Sequence, residues 1–213
     1  MHDDYLFQRS PQERSVSGWQ GYRGAVPAKV TMGLLGSGLL WHLVLLVGKL
    51  LAPDAFDGVA AAGIATAVTL VFYALTAVAF VVWFYRAYRT VNLAEGTAHS
   101  PDQAVWTFFV PILNIFRPYQ IATEIWRKSS ASGESYGHSG LLIAWWALWV
   151  IGRGCPLFVG TSLVRESGSM VSPVVIGLGL AELALSGAAI AVVRTLDARI
   201  RARQGQGTAP ATF

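Results

Sequence analysis

Cysteine is almost absent. Cys155 stands alone among 213 residues, which excludes an intramolecular disulfide and a cysteine-built zinc site. Charge is scarce as well: charged residues make up 13% of the chain, about half the share usual in soluble proteins. Apolar residues make up 54%, and the mean hydropathy is +0.47. A soluble fold of this size leaves too much of its surface in water to hide that apolar content, so the chain reads as an integral membrane protein. The first 29 residues hold no long apolar run and begin with acidic side chains. That excludes a cleavable signal peptide and predicts a short polar tail over 1–29. His2, His42, His99 and His138 form no i, i+4 pair and no HExxH pattern, so no metal site is expected. Neither a glycine-rich nucleotide loop nor a GxSxG elbow is present, and no cofactor is expected. The net charge of +4 comes from scattered Lys and Arg rather than a dense block, which argues against a nucleic-acid partner.

What the chain has is long apolar runs. Four of them, 30–52, 59–85, 140–164 and 170–193, are long enough as helices to cross about 30 Å of hydrocarbon. The first carries Lys49 near its far end, where the side chain can snorkel, and the second ends in Trp83, Phe84, Tyr85 and Arg86, an interfacial anchor. Thirteen of the sixteen basic residues fall in 1–29, 86–139 and 194–213, against Arg165 alone in the two short connections. The positive-inside rule then places both termini in the cytoplasm, with 194–213 a basic cytoplasmic tail.

The central segment departs from simple spanning. Between residues 104 and 116 it is apolar but too short to cross, and Pro111 interrupts it. Pro118 suits the first turn of a new helix, along which Tyr119, Ala122, Ile125 and Trp126 share one face while Glu124 and Lys128 can pair at i, i+4. The expected fold is therefore an all-α integral membrane protein with four transmembrane helices. A cytoplasmic interfacial or re-entrant helical hairpin, 104–128, lies between the second and third. In this block the residues Trp83-Phe-Tyr-Arg-Ala-Tyr-Arg-Thr-Val-Asn92, Ser100-Pro101, Phe109-Val-Pro-Ile-Leu-Asn114-Ile-Phe-Arg117-Pro118-Tyr119-Gln120 and Glu124-Ile-Trp126-Arg127 resemble the signature of the bacterial domain-of-unknown-function 4328 family. The resemblance implies a multi-pass membrane protein and names no activity.

Two sets of residues are candidates for a site. In the block, Asn92, Asn114, Arg117 and Glu124 are suited to satisfying the backbone groups that Pro111 and Pro118 leave unpaired. The alternative is that Arg86, Arg117 and Arg127, with Tyr119, line a cytoplasmic mouth that holds an anionic headgroup or phosphate. In the third and fourth spans, Arg153 and Glu182 lie at nearly one depth and can pair, either to fix helix register or to floor a cavity. Small residues at Gly33 and Ser37, and at Gly177, Ala181, Ala184 and Ala188, mark close helix contacts. Two functions follow: a membrane-embedded binding, sensing or partner module that engages membrane lipids, a second copy or a membrane partner, or a membrane enzyme acting on an isoprenoid or lipid with Glu182 as the acid.

Overall fold

The computed structural model describes residues 10–56, 58–130, 139–159 and 173–206, and every described element is helical. The helices are α1 (Pro11–Gln20), α2 (Ala25–Leu51), α3 (Pro53–Phe56), α4 (Val59–Glu95), α5 (Gln103–Trp106), α6 (Pro111–Lys128), α7 (Gly140–Val159) and α8 (Pro173–Gln206). Three of them, α2, α4 and α8, are long and apolar enough to cross a membrane. Of the remaining expected span, 140–164, residues 140–159 form α7, which is apolar over Gly140–Gly152, and 160–164 lie outside the described residues, as do 170–172 of the last.

Two of the long helices outrun the spans expected of them. α4 has 37 residues and α8 has 34, so at 1.5 Å per residue both exceed about 50 Å, well over a bilayer core. Neither stops at residue 85 or 193. The extensions stay helical because they are amphipathic: Phe84, Ala87, Tyr88, Val91 and Ala94 recur at helical spacing on α4, and Ala189, Val192, Val193, Leu196 and Ile200 do so on α8, and all are buried. These extensions, together with α1, α5 and α6, form a collar around one end of the bundle. The core of the molecule sits there, with Trp83, Phe84, Tyr88, Ile121, Ile125, Leu142, Leu196 and Ile200 all under 2% exposed. Toward the other end the long helices present Leu40, Val44, Ile64, Leu70, Val71, Leu75 and Val78 outward, an apolar surface that water would disfavour and lipid would not.

The segment expected to be a polar tail contains α1. Ser10 and Glu13 close a capping box at its start, Ser10 N–H donating to Glu13 Oε2 at 2.8 Å and Glu13 N–H to Ser10 Oγ at 3.2 Å. The helix lies so close to α4 that a Cβ on Gly18 would stand 2.5 Å from Ala94 Cα, so glycine is required by contact rather than by conformation. Trp19 and Tyr22 then enter the core at 3% and 6% exposure.

The region expected to be a hairpin takes another form. α5 is a single turn, and α6 is one continuous helix of 18 residues that starts at Pro111 and runs through Pro118. Pro111 is tolerated because the first turn has no intrahelical partner for its missing N–H. Pro118, expected to begin a helix, lies inside this one and leaves the Asn114 carbonyl without its usual donor. Burial of Pro118, Ile121, Ala122 and Ile125 against the collar outweighs that loss.

Candidate functional site: a polar clasp on an apolar collar

The residues from Asn92 to Lys128 are knitted by side chains reaching across α4, the loop after it and α6. Gly96 ends α4 with φ +64°, a conformation that favours glycine, and its N–H caps the Asn92 carbonyl. Asn92 Nδ2 donates to Thr97 Oγ1 at 2.5 Å, and Thr97 Oγ1 donates to the His99 carbonyl at 2.7 Å. Glu124 receives the loop: Ala98 N–H donates to its Oε1 at 2.9 Å, and the Tyr88 hydroxyl donates to its Oε2 at 2.7 Å. Tyr88 in turn accepts from His99 N–H at 3.3 Å. Lys128 lies 3.7 Å from Glu124, the expected i, i+4 pair, and also donates to the Gly96 carbonyl. Arg117, seven residues before Glu124 and on the same face of α6, donates to His99 Nδ1 at 3.1 Å.

Three of the candidate residues, Asn92, Arg117 and Glu124, are thus brought into one network that satisfies the backbone of residues 96–99. The others are elsewhere. Tyr119 packs its ring 5.4 Å from that of Trp146, whose Nε1 donates to the Ile115 carbonyl at 2.7 Å, so it joins α6 to α7. Asn114 Oδ1 is buried with no hydrogen-bond partner among the described residues. Arg86 donates to the Arg23 carbonyl at 3.0 Å, and Arg127 is exposed. Residues 86 and 88 of one helix point about 200° apart, so Arg86 and the Tyr88–Glu124 network sit on opposite sides of α4. The expected single mouth lined by Arg86, Arg117 and Arg127 is therefore not assembled; the arginines are distributed around the collar.

Two carboxylates with no place in the sequence-level site organise the rest. Glu95 Oε1 accepts from Ser15 Oγ at 3.1 Å, Trp19 Nε1 at 3.2 Å and Arg203 Nη2 at 3.1 Å, joining α1, α4 and α8, and the Arg203 guanidinium lies over Trp19. Asp197, 1% exposed, accepts from the Tyr22 hydroxyl at 2.5 Å and lies 2.6 Å from Arg201. Burial, and then the Asp197 carboxylate, hold the Tyr22 phenol well above the usual tyrosine range. On the neighbouring stretch of α8, Arg199 lies 3.4 Å over the Trp126 ring. The Asp197–Arg201 pair has an i, i+4 signal in the sequence; Glu95 and Tyr22 find partners more than 70 residues away, for which no local pattern exists.

For the pair in the spans, a Cβ on Gly152 would lie 3.7 Å from Leu185 Cδ2. That register puts the backbone of Arg153 within about 3 Å of the level of Glu182. Glu182 is half-buried, and the Arg153 side chain lies outside the described residues, as do His2, His138 and the connection 165–169.

Residues 48–198 match a family model described as Domain of unknown function (DUF4328). No curated protein and no solved structure matches the chain.

Proposed function

The chain belongs to the DUF4328 family, and from that premise and the shape of the collar we propose that it is a small polytopic membrane module that reads the membrane surface. In this reading α7 is a fourth span, so α2, α4, α7 and α8 all enter the membrane from the collar. The basic residues concentrated in the collar make its side cytoplasmic, in the bacterial cytoplasmic membrane. One observation carries the proposal. Arg23, Lys29, Arg86, Arg89 and Arg194 are exposed, and each adjoins in sequence a buried residue of the collar core, respectively Tyr22, Ala28, Ala87, Tyr88 and Val193. They ring the core, and beside them α5, α6 and the link between them expose Trp106, Phe109, Ile112 and Phe116 at 53% or more. A basic ring with an adjoining apolar wedge fits a headgroup layer carrying negative charge, the wedge dipping into the acyl boundary.

The test is lipid selectivity of the full-length purified protein. In discs of mixed zwitterionic and anionic phospholipid, native mass spectrometry is expected to find anionic lipid retained in excess of its share. At about 1 kcal/mol per basic residue near the surface, Arg86→Gln and Arg89→Gln should each weaken that retention about fivefold. Retention in proportion to the bulk mixture would sink the proposal, and a co-purifying isoprenoid would favour the enzyme instead.

A further inference from the structure

The collar reading leaves the bilayer middle unused, yet the four apolar runs place polar side chains there. The runs 30–52, 59–85, 140–164 and 170–193 have their midpoints at or beside residues 41, 72, 152 and 181. His42, Tyr73, Arg153 and Glu182 each lie within about 2 Å, along the helix axis, of the middle of their own run. Every one of the four helices thus contributes a polar or ionisable residue at one level, where such residues are costly to place.

The packing brings three of them toward each other. His42 and Tyr73 face one another across α2 and α4, with ring centroids 5.7 Å apart and His42 Nε2 3.4 Å from the Tyr73 hydroxyl. A Cβ on Gly179 of α8 would stand 3.2 Å from Leu46 of α2, four residues beyond His42 and on its face, while Glu182 is three residues beyond Gly179. Since α2 and α8 run antiparallel here, both steps lead to the same level. Around α8, Glu182 is about 60° from Gly179, which meets α2, and about 60° from Leu185, which meets α7. Its carboxylate therefore stands between the helix of His42 and the helix of Arg153.

His42 is fixed in one tautomer. Its Nδ1 lies 2.7 Å from the Gly38 carbonyl, which can only accept, so Nδ1 carries the hydrogen and Nε2 offers a lone pair. The neighbour of Nε2 is a phenol, a group able to donate to the neutral ring and to accept from the protonated one. Taking up a proton at Nε2 keeps the Gly38 bond and turns the Tyr73 hydroxyl from donor to acceptor.

We propose that this layer is a proton-binding site at the bilayer midplane, in which His42 Nε2 takes the proton, the Tyr73 hydroxyl turns to follow it and Glu182 supplies the counter-charge. From the packed helices, Tyr73 of α4 faces His42, while Glu182 of α8 and the backbone of Arg153 on α7 stand near its level. Lys49 lies two turns away on α2 itself, and Asp54 of α3 lies beyond the far end of α2. The proposal rests on these helices spanning the membrane and not on headgroup binding by the collar.

The experiment is nitrogen NMR of the full-length protein carrying 15N-histidine in lipid discs, with the His42 signals identified by their loss in His42→Gln. As the pH is lowered through the range in which the protein stays folded, Nδ1 is expected to stay protonated while Nε2 moves from the unprotonated to the protonated frequency. At the midpoint pH of the parent, Glu182→Gln should reduce protonation at least about threefold. Circular dichroism and melting like those of the parent establish that the variants are folded; should Glu182→Gln not fold, Glu182→Asp moves the carboxylate by one methylene and is also expected to change the curve. A folded protein whose Nε2 stays unprotonated across the range overturns the site. An unchanged curve in the folded Glu182 variant overturns the counter-charge. Lipid retention by the collar is measured separately, so either reading can fail alone.

Discussion

At the scale of single residues, the collar depends on carboxylates that each hold several donors. Glu124 accepts a backbone N–H and a phenol, and hydrogen bonds to a charged group contribute roughly 1.5–3 kcal/mol each when removal strands a donor. Since the Glu124 side chain is 15% exposed, water takes part of that over, and Glu124→Ala is expected to cost roughly 2–3 kcal/mol in total. The loss should appear as a lowered melting temperature and as faster amide exchange over residues 96–99, with Glu124→Gln milder because one acceptor remains. Unchanged exchange in that loop would remove Glu124 from its role. Tyr22 gives a pH-dependent counterpart. Its folded pKa is raised, so the neutral phenol is favoured in the native state. Its contribution is fully present below the unfolded value of about 10 and declines as pH rises above it. The melting temperature of the parent should therefore fall more steeply above about pH 10 than that of Tyr22→Phe, which itself lowers stability by roughly 1.5–3 kcal/mol near neutrality. Parallel curves would show that Tyr22 ionises freely.

At the scale of elements, α1 is the clearest case of a helix made stable by docking. Ten residues are too few to hold helical structure alone, even with a capping box. What keeps α1 in place is the close approach at Gly18, the burial of Trp19 and the Glu95 contacts. Gly18→Leu puts a side chain where backbone already stands. Exchange of the α1 amides is expected to rise at least tenfold, the equivalent of about 1.4 kcal/mol, while α2 at mid-span is unaffected. Retention of slow exchange would mean that α1 does not depend on that contact. α6 teaches the converse lesson: Pro118 reads locally as a helix start, but burial of the face around it carries the helix through.

At the scale of the whole molecule, the apolar spans and the collar divide the chain into a part that lipid supports and a part that packs on itself. The topology proposed for it is open to direct labelling. With Cys155→Ser as background, single cysteines at Ser10, Asp57, Ser135, Ser167 and Thr208 should react with a membrane-impermeant thiol reagent in intact cells only at 57 and 167. Labelling at 135 without labelling at 167 would break the four-span scheme and place the collar on the wrong side.

Apolar content, the long runs and the bias of basic charge were legible from composition and periodicity alone, because transfer into hydrocarbon depends on residue type and run length and hardly on neighbours. Those signals sufficed for the membrane class and for locating α2, α4 and α8. They failed at the helix ends. Whether α4 stops at residue 85 or continues to Glu95 turns on whether Tyr88 and Val91 find a surface to bury against, and that surface comes from α1 and α6. The candidate site divides the same way. Asn92, Arg117 and Glu124 stand out as polar residues in an interfacial block, and that much is local. That Glu124 meets Ala98 and Tyr88, that Glu95 meets Trp19 and Arg203, and that Arg86 faces away from them all were decided only by tertiary packing. Such partners lie from 26 to 108 residues apart in the chain, and only the folding of the helices against one another determines which side chains share a face.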